Sequence, residues 1–72
     1  MRKIKKIKIR ANGKIKSIPG NYSLLDLIKV MKIPIKKVAI ELNQEIVDKK
    51  NIKKINLKDN DKIEIVHFIG GG

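Results

Sequence analysis

The amino-acid sequence predicts an α+β domain in which one helix covers one face of a small sheet. Several segments alternate apolar and polar residues, one segment has apolar residues at helical spacing, and turn signals separate them. With 72 residues the chain is long enough for a single domain. Because it has no cysteine, no disulfide supports the fold, and a core rich in isoleucine must stabilise it alone.

The first two strands are predicted to form a hairpin. Residues 7–11 alternate isoleucine or alanine with basic residues. Asn12-Gly13 then gives the strongest short hairpin signal, because both residues tolerate positive φ. Residues 15–18 form the return strand. Ile15 and Ile18 are out of phase with each other, which predicts a twist or a bulge in this strand.

One short helix is predicted over about residues 24–32. Ser23 and Asp26 have the spacing of a capping box, with Asp in place of the usual Glu or Gln. Apolar residues then repeat at helical spacing, and basic residues near the end suit the helix macrodipole. Pro34 is expected to end the helix.

Three more strands are predicted after the helix. Residues 38–42 alternate, Asn43-Gln44 suits a tight turn, and residues 45–47 give a short fourth strand. The apolar residues of segment 48–58 follow neither the helical nor the strand period, so we expect a loop with one helical turn around Ile52. The predicted order is therefore strand, strand, helix, strand, strand, strand.

The last strand covers residues 62–68, after a turn formed by Asp59-Asn60-Asp61. Ile63 and Ile65 lie on one of its faces, and Val66 and Phe68 lie on the other. If the helix covers the first face, the second is open. An exposed apolar patch often marks a partner surface; the alternative is that Phe68 folds over the edge of the sheet.

The chain carries a formal net charge of +11, from 18 Lys and Arg against 7 Asp and Glu. This charge fits a nucleic-acid partner, an acidic protein partner, or a solvated lysine-rich surface. The basic residues are spread over every segment, and only Tyr22 and Phe68 could stack on bases. A solvated surface is therefore favoured over nucleic-acid binding.

Few side chains could support catalysis or bind a metal. His67 is the only histidine and has no obvious carboxylate partner in its strand. It is therefore interpreted as a surface or core-edge residue. Asp59 and Asp61 lack the full calcium-loop spacing, and turn chemistry explains them. We therefore expect a carrier or substrate rather than an enzyme, with no bound metal or cofactor.

We expect the protein to be cytoplasmic. No apolar run approaches the roughly 20 residues that span a bilayer. The basic N-terminus has no apolar stretch behind it that would make it a secretory signal.

Gly70-Gly71-Gly72 follow the last strand directly. Glycine is the most flexible residue, and without a Cβ it can enter a narrow slot and leave a terminal carbonyl open to attack. A phosphate loop is not indicated, because no helix and no Lys-Ser or Lys-Thr pair follows. The pattern predicts that the carboxylate of Gly72 is itself used.

The chain resembles the ThiS family, the sulfur-carrier proteins of thiamine biosynthesis with the ubiquitin-like β-grasp fold. Residues 9–14 resemble the first hairpin of the family, and residues 38–43 with 45–47 resemble its central hairpin. Residues 57–72 resemble its closing signature, a turn commonly reading Asp-Gly-Asp before the last strand and the glycine tail. Asn60 replaces the usual Gly, and the high lysine content is a larger departure.

The resemblance implies a fold and a domain organisation. It implies a mixed sheet of four to five strands with one main helix packed on one face. Residues 1–69 form the β-grasp domain, and residues 70–72 form a flexible C-terminal glycine tail.

The resemblance also implies a mechanism. An E1-like activating enzyme uses ATP to adenylate Gly72, a sulfur donor converts the adenylate to a thiocarboxylate, and thiazole synthase takes the sulfur. Gly70 and Gly71 thread into the active sites of the partners, and Val66, Phe68 and Ile69 contact the partners. The chain itself is then a carrier and not an enzyme.

Three alternatives remain at this point. The small subunit of molybdopterin synthase also has a β-grasp fold and a terminal glycine pair, although it is typically longer. A protein-conjugating modifier would use the same glycine end to form amide bonds. A basic nucleic-acid-binding module belongs to a different class.

Overall fold

The computed structural model describes residues 4–68. Within them a single α-helix, α1 (Leu24–Val30), accompanies a five-stranded sheet. The strands are β1 (Lys6–Ala11), β2 (Lys14–Pro19), β3 (Val38–Leu42), β4 (Glu45–Ile46) and β5 (Lys62–His67). The predicted order of strands and helix is confirmed. The helical turn expected around Ile52 is present as the 3-10 helix Lys49–Lys54, and a 3-10 turn at Ile35–Lys37 was not predicted.

The last strand in the chain lies in the middle of the sheet. The spatial order is β2-β1-β5-β3-β4. β5 runs parallel to β1 and antiparallel to β3, whereas the β1–β2 and β3–β4 pairs are antiparallel hairpins. The predicted mixed sheet with one main helix is confirmed.

The first hairpin has an unbroken register. Its pairs run from Lys6 with Pro19 to Ala11 with Lys14, so the bulge, which was predicted as an alternative to a twist, is absent. Ile18 is buried, whereas Ile15 is 62% exposed on the opposite face. The two isoleucines are out of phase because they lie on opposite faces of the strand, and a strand at the edge of a sheet can leave one of them in solvent.

Both hairpin turns adopt the conformation that the sequence predicts. Asn12 and Gly13 have φ of 51° and 82°, and Asn43 and Gln44 have φ of 51° and 72°. Positive φ at both central residues is the geometry of a type I′ turn, which matches the twist of the flanking strands.

Hydrogen bonds cap both ends of helix α1. Ser23 Oγ accepts from the Asp26 N–H at 3.1 Å, and the Asp26 carboxylate accepts from the Ser23 N–H at 2.9 Å, which confirms the capping box. At the other end the Lys32 N–H donates to Lys29 O, and the Ile33 N–H donates to Ile28 O. This pair of bonds is a Schellman motif.

The helix is therefore shorter than predicted, and Pro34 does not end it. Lys32 has φ of 56°, a left-handed conformation that stops the helix before the proline is reached. Glycine is the residue usually found there, because it has no Cβ. The sequence contains no glycine at this point, so the stop could not be recognised from it.

The core lies between α1 and the covered face of the sheet. Leu24, Leu27 and Ile28 of the helix are buried, as are Ile63 and Ile65 of β5. The 3-10 helix Lys49–Lys54 forms around Ile52 in the predicted loop and contributes that residue to the core. Among residues 4–68, no helix has both the length and the apolar character to cross a membrane.

The Schellman motif gives a prediction for stability. Lys32→Gly removes the strain of a left-handed lysine and is expected to raise the free energy of unfolding by about 0.5–1 kcal/mol. Lys29→Gly is the control, because Lys29 has ordinary helical geometry and the same change should lower that free energy by about 1 kcal/mol. Urea denaturation measures both. Loss of stability in Lys32→Gly would contradict the assignment of strain to the left-handed Lys32, which follows the C-cap Met31.

Candidate functional site

The candidate site lies at the end of β5. Ile63 and Ile65 are buried under α1, whereas Val66 is 54% and Phe68 is 56% exposed. The prediction that Val66 and Phe68 are accessible is confirmed. The Phe68 N–H donates to Lys37 O at 2.9 Å, so pairing with the β3 side continues one residue beyond β5. The backbone is therefore held up to Phe68.

A basic side chain lies against Phe68. Lys49 Nζ is 5.3 Å from the centroid of the Phe68 ring, within the range of a cation–π interaction. Lys49 begins the 3-10 helix Lys49–Lys54, which follows β4 at the edge of the sheet. Phe68 is thus in contact with the segment after β4 while more than half of its surface stays accessible.

The β1–β2 turn is bonded to β5 through Asn12. The Asn12 N–H donates to Ile63 O at 2.9 Å, and Asn12 Oδ1 accepts from the Ile65 N–H at 2.8 Å. The parallel register of β1 and β5 ends at Ala11 with Ile63, so the side chain extends the connection beyond the last paired residue. Sequence reasoning assigned Asn12 to the turn alone and missed this second role.

The turn before β5 fixes the other end of that strand. Asp59 Oδ1 accepts from the Lys8 N–H at 2.8 Å, and the Asp61 carboxylate accepts from the Lys58 N–H at 2.7 Å and from Asn43 Nδ2 at 3.0 Å. These carboxylates bind backbone and amide donors of the fold. Across residues 4–68, no group of three or more His, Cys, Asp or Glu is arranged to hold a metal ion.

His67 is exposed and lies opposite Val38 in the β3–β5 register. Within the described part of the chain, its side chain makes no hydrogen bond to a carboxylate that would orient it as a general base. The structure gives it no catalytic arrangement.

Ile46 is a further accessible residue that sequence reasoning did not single out. It is 79% exposed and lies opposite Glu41, on the same face of the sheet as Val66. Alternation of apolar and polar residues along 45–47 could have indicated that Ile46 is exposed, but so short a strand gives little evidence of which residues share a face. Ile46 and Val66 lie on the face of the sheet that α1 leaves uncovered.

Four of the residues predicted to act in function lie outside the described range. Ile69, Gly70, Gly71 and Gly72 follow Phe68 and are not part of residues 4–68. The boundary predicted between residues 69 and 70 also falls outside that range.

The comparisons with known proteins identify the family. Residues 9–72 match the model of the ThiS family. The chain belongs to the ThiS family. The match includes the closing signature of residues 57–72 on which the sequence resemblance depended.

Individual members of the family are similar over most of this chain. It is 38% identical to the sulfur carrier protein ThiS of Bacillus subtilis over 65 residues, covering 89% of this chain and 98% of that protein. The crystal structure of ThiS from Geobacter metallireducens superposes with a TM-score of 0.81 at 26% identity, covering 92% of this chain and all of the other. The β-grasp fold expected from the resemblance is confirmed.

A larger protein also contains a related segment. The chain is 36% identical over 66 residues to the thiazole synthase of Paramagnetospirillum magneticum, a match that covers 92% of this chain. The chain spans only 20% of the length of that protein. A ThiS-like segment therefore belongs to the same polypeptide as a thiazole synthase in that organism.

The hydrogen bond between the Asn12 side chain and the Ile65 N–H gives a prediction about the site. Asn12→Gly keeps a residue that tolerates positive φ but removes the acceptor for the Ile65 N–H. Loss of such a hydrogen bond lowers the free energy of unfolding by about 1 kcal/mol. Amide hydrogen exchange at Ile65 should accelerate, and NMR measures it residue by residue.

Asn60→Gly is the matched control for this change. Asn60 also has positive φ, at 72°, and among the described residues only its backbone forms hydrogen bonds. The same substitution should therefore leave exchange at Ile65 unchanged. Equal acceleration in the two variants would show that the Asn12 side chain does not hold β5.

Proposed function

We propose that this chain is a sulfur carrier of thiamine biosynthesis and that Gly72 carries the sulfur as a C-terminal thiocarboxylate. The observation that carries the proposal is the match to the ThiS family through Gly72. The 38% identity with a sulfur carrier over nearly all of that protein supports it. These similarities favour the thiamine function over the molybdopterin-synthase and nucleic-acid alternatives.

The chemistry requires an activated carboxyl group. A carboxylate is a poor electrophile until one of its oxygens becomes part of a good leaving group. In the proposed sequence an E1-like activating enzyme transfers AMP from ATP to the carboxylate of Gly72 and releases pyrophosphate. Sulfur at the sulfide oxidation level, supplied by a donor, then displaces AMP and leaves the thiocarboxylate. The thiocarboxylate stays tethered to the carrier, which raises its effective concentration at the acceptor. ATP serves the activating enzyme and is not held by the carrier.

The length of the glycine arm, residues 69–72, limits where a partner can bind. Four residues separate Phe68 from the end of Gly72, and a fully extended chain of four residues spans at most about 14 Å. The backbone up to Phe68 is held by β3. An enzyme that acts on Gly72 must therefore contact the carrier near the end of β5.

We assign this contact to the exposed residues Val66 and Phe68, together with Ile69. Apolar side chains at the centre of a contact give most of its affinity, and those of Val66 and Phe68 are more than half exposed in the free chain. Gly70 and Gly71 enter the active site ahead of Gly72, because residues without a Cβ need the least width.

We further propose thiazole synthase as the acceptor of the sulfur. The support is the ThiS-like segment within the thiazole synthase of P. magneticum. A carrier and an acceptor in one polypeptide indicate that the two act on each other. In this scheme the chain is not an enzyme, and its reactions take place in the cytoplasm, where ATP is available.

Loading of Gly72 is tested by intact-protein mass spectrometry after incubation with the activating enzyme, ATP and a sulfur donor. We expect the mass change of one oxygen replaced by one sulfur, located at Gly72 by fragmentation. Deletion of Gly72 should abolish the change while the thermal unfolding midpoint stays the same. No exchange in the intact chain, or exchange in the deletion variant, would contradict the proposal.

The contact surface is tested by enzyme kinetics. Val66→Ala with Phe68→Ala should raise the KM of the carrier in the loading reaction about tenfold or more, as expected when two apolar contacts are lost. Ile15→Ala is the matched control, because Ile15 is 62% exposed on the same face of the sheet but lies on β2. An equal effect of the two changes would show that the end of β5 has no special role.

A further inference from the structure

A depression with an apolar floor lies on the helix side of the molecule. Its volume is about 300 Å³, and it lies between α1, the 3-10 turn Ile35–Lys37 and the 3-10 helix Lys49–Lys54. Leu25, Ile35 and Ile52 provide the apolar lining. Leu25 and Ile35 are only half-buried, so apolar surface remains open to a partner.

The rim of the depression is entirely basic. Its remaining lining residues are Lys36, Lys49, Lys50 and Lys53, and no Asp or Glu lines it. Among residues 4–68 the one ion pair within 4.0 Å joins Lys62 to Glu64, so none of these four lysines forms an ion pair with a carboxylate of the described chain. The nearby Asp48 carboxylate instead accepts from the Lys50 N–H at 2.9 Å and caps the 3-10 helix.

The depression adjoins the end of β5 at two points. Lys49 belongs to its rim, and Lys49 Nζ lies 5.3 Å from the centroid of the Phe68 ring. Lys36 also belongs to the rim, and the next residue, Lys37, accepts the hydrogen bond from the Phe68 N–H. An enzyme that contacts Phe68 to reach Gly72 therefore lies beside the depression.

We propose that the depression binds an acidic segment of an enzyme that receives the glycine arm. An apolar side chain of this segment occupies the floor, and its carboxylates pair with the lysines. Interfaces commonly combine an apolar centre with a polar rim, and complementary charge accelerates encounter and fixes orientation. This inference rests on the proposed function, since it assigns a second contact to the same partners.

Charge reversal at the rim tests the inference. The double variant Lys36→Glu with Lys53→Glu reverses the charge of two exposed side chains on the rim. We expect the KM of the carrier to rise about tenfold or more in the loading reaction or in sulfur transfer to thiazole synthase, with a small change in kcat. The increase in KM should become smaller as the salt concentration rises.

The matched control is Lys5→Glu with Lys58→Glu. It makes the same change in net charge at two exposed lysines that lie away from the depression, near the end of the sheet where β5 begins. We expect its KM to stay within about twofold of wild type, because distant surface charges are screened. Thermal unfolding of both variants confirms that they fold.

Three results would overturn the inference while leaving the proposed function intact. An unchanged KM in both reactions would show that the depression is not a contact, and equal effects in both double variants would show that only net charge matters. Loss of binding to a single-stranded RNA probe by the rim variant, with normal kinetics in both reactions, would assign the depression to nucleic acid. Failure of the wild-type chain to acquire sulfur would instead contradict the proposed function itself, and the inference would fall with it.

Discussion

The position of β5 between β1 and β3 is the constraint on which the rest of the structure depends. This strand is last in the chain but central in the sheet, and it holds together two hairpins that do not pair with each other. It also supplies Ile63 and Ile65 to the core beneath α1. Parallel pairing with β1 is brief, and the Asn12 side chain extends it. If β5 were displaced, both halves of the sheet and the core would separate.

In the proposed function, the same constraint explains how a domain whose described residues, 4–68, form no catalytic arrangement can take part in a reaction. Because β5 is anchored on both sides, the backbone is fixed until Phe68, four residues before Gly72. Accessible apolar side chains and a lysine-rimmed depression lie beside this point. In the proposed function the domain presents the arm, and the surroundings of Phe68 select the enzymes that use it. The net charge of +11 then favours partners that are acidic near their active sites.

Features that depend on neighbouring residues could be predicted from the sequence, and features that join distant segments could not. The capping box of Ser23 and Asp26 and the Asn12-Gly13 turn are local chemistry, and both were predicted. Ile15 and Ile18 were taken to indicate a twist or a bulge, whereas Ile15 is exposed on an edge strand, and which strands become edges depends on pairing between distant segments. The Asn12–Ile65 bond joins residues 53 positions apart, and the depression combines three separate segments, so no local pattern indicates either. Use of the Gly72 carboxylate was predicted from the glycine tail, and the family resemblance supplied the sulfur chemistry. The role of Gly72 stays a prediction.

Native-state hydrogen exchange measured by NMR tests most directly whether β5 organises the molecule. The amides of Glu64, Ile65 and Val66 should exchange only through global unfolding, with the free energy that urea denaturation gives, because breaking this strand exposes the whole core. Amides of the edge strand β4 should exchange faster, through local opening. If the β5 amides exchanged as fast as those of β4, or with a free energy well below that of global unfolding, β5 would not be the structural centre of the molecule.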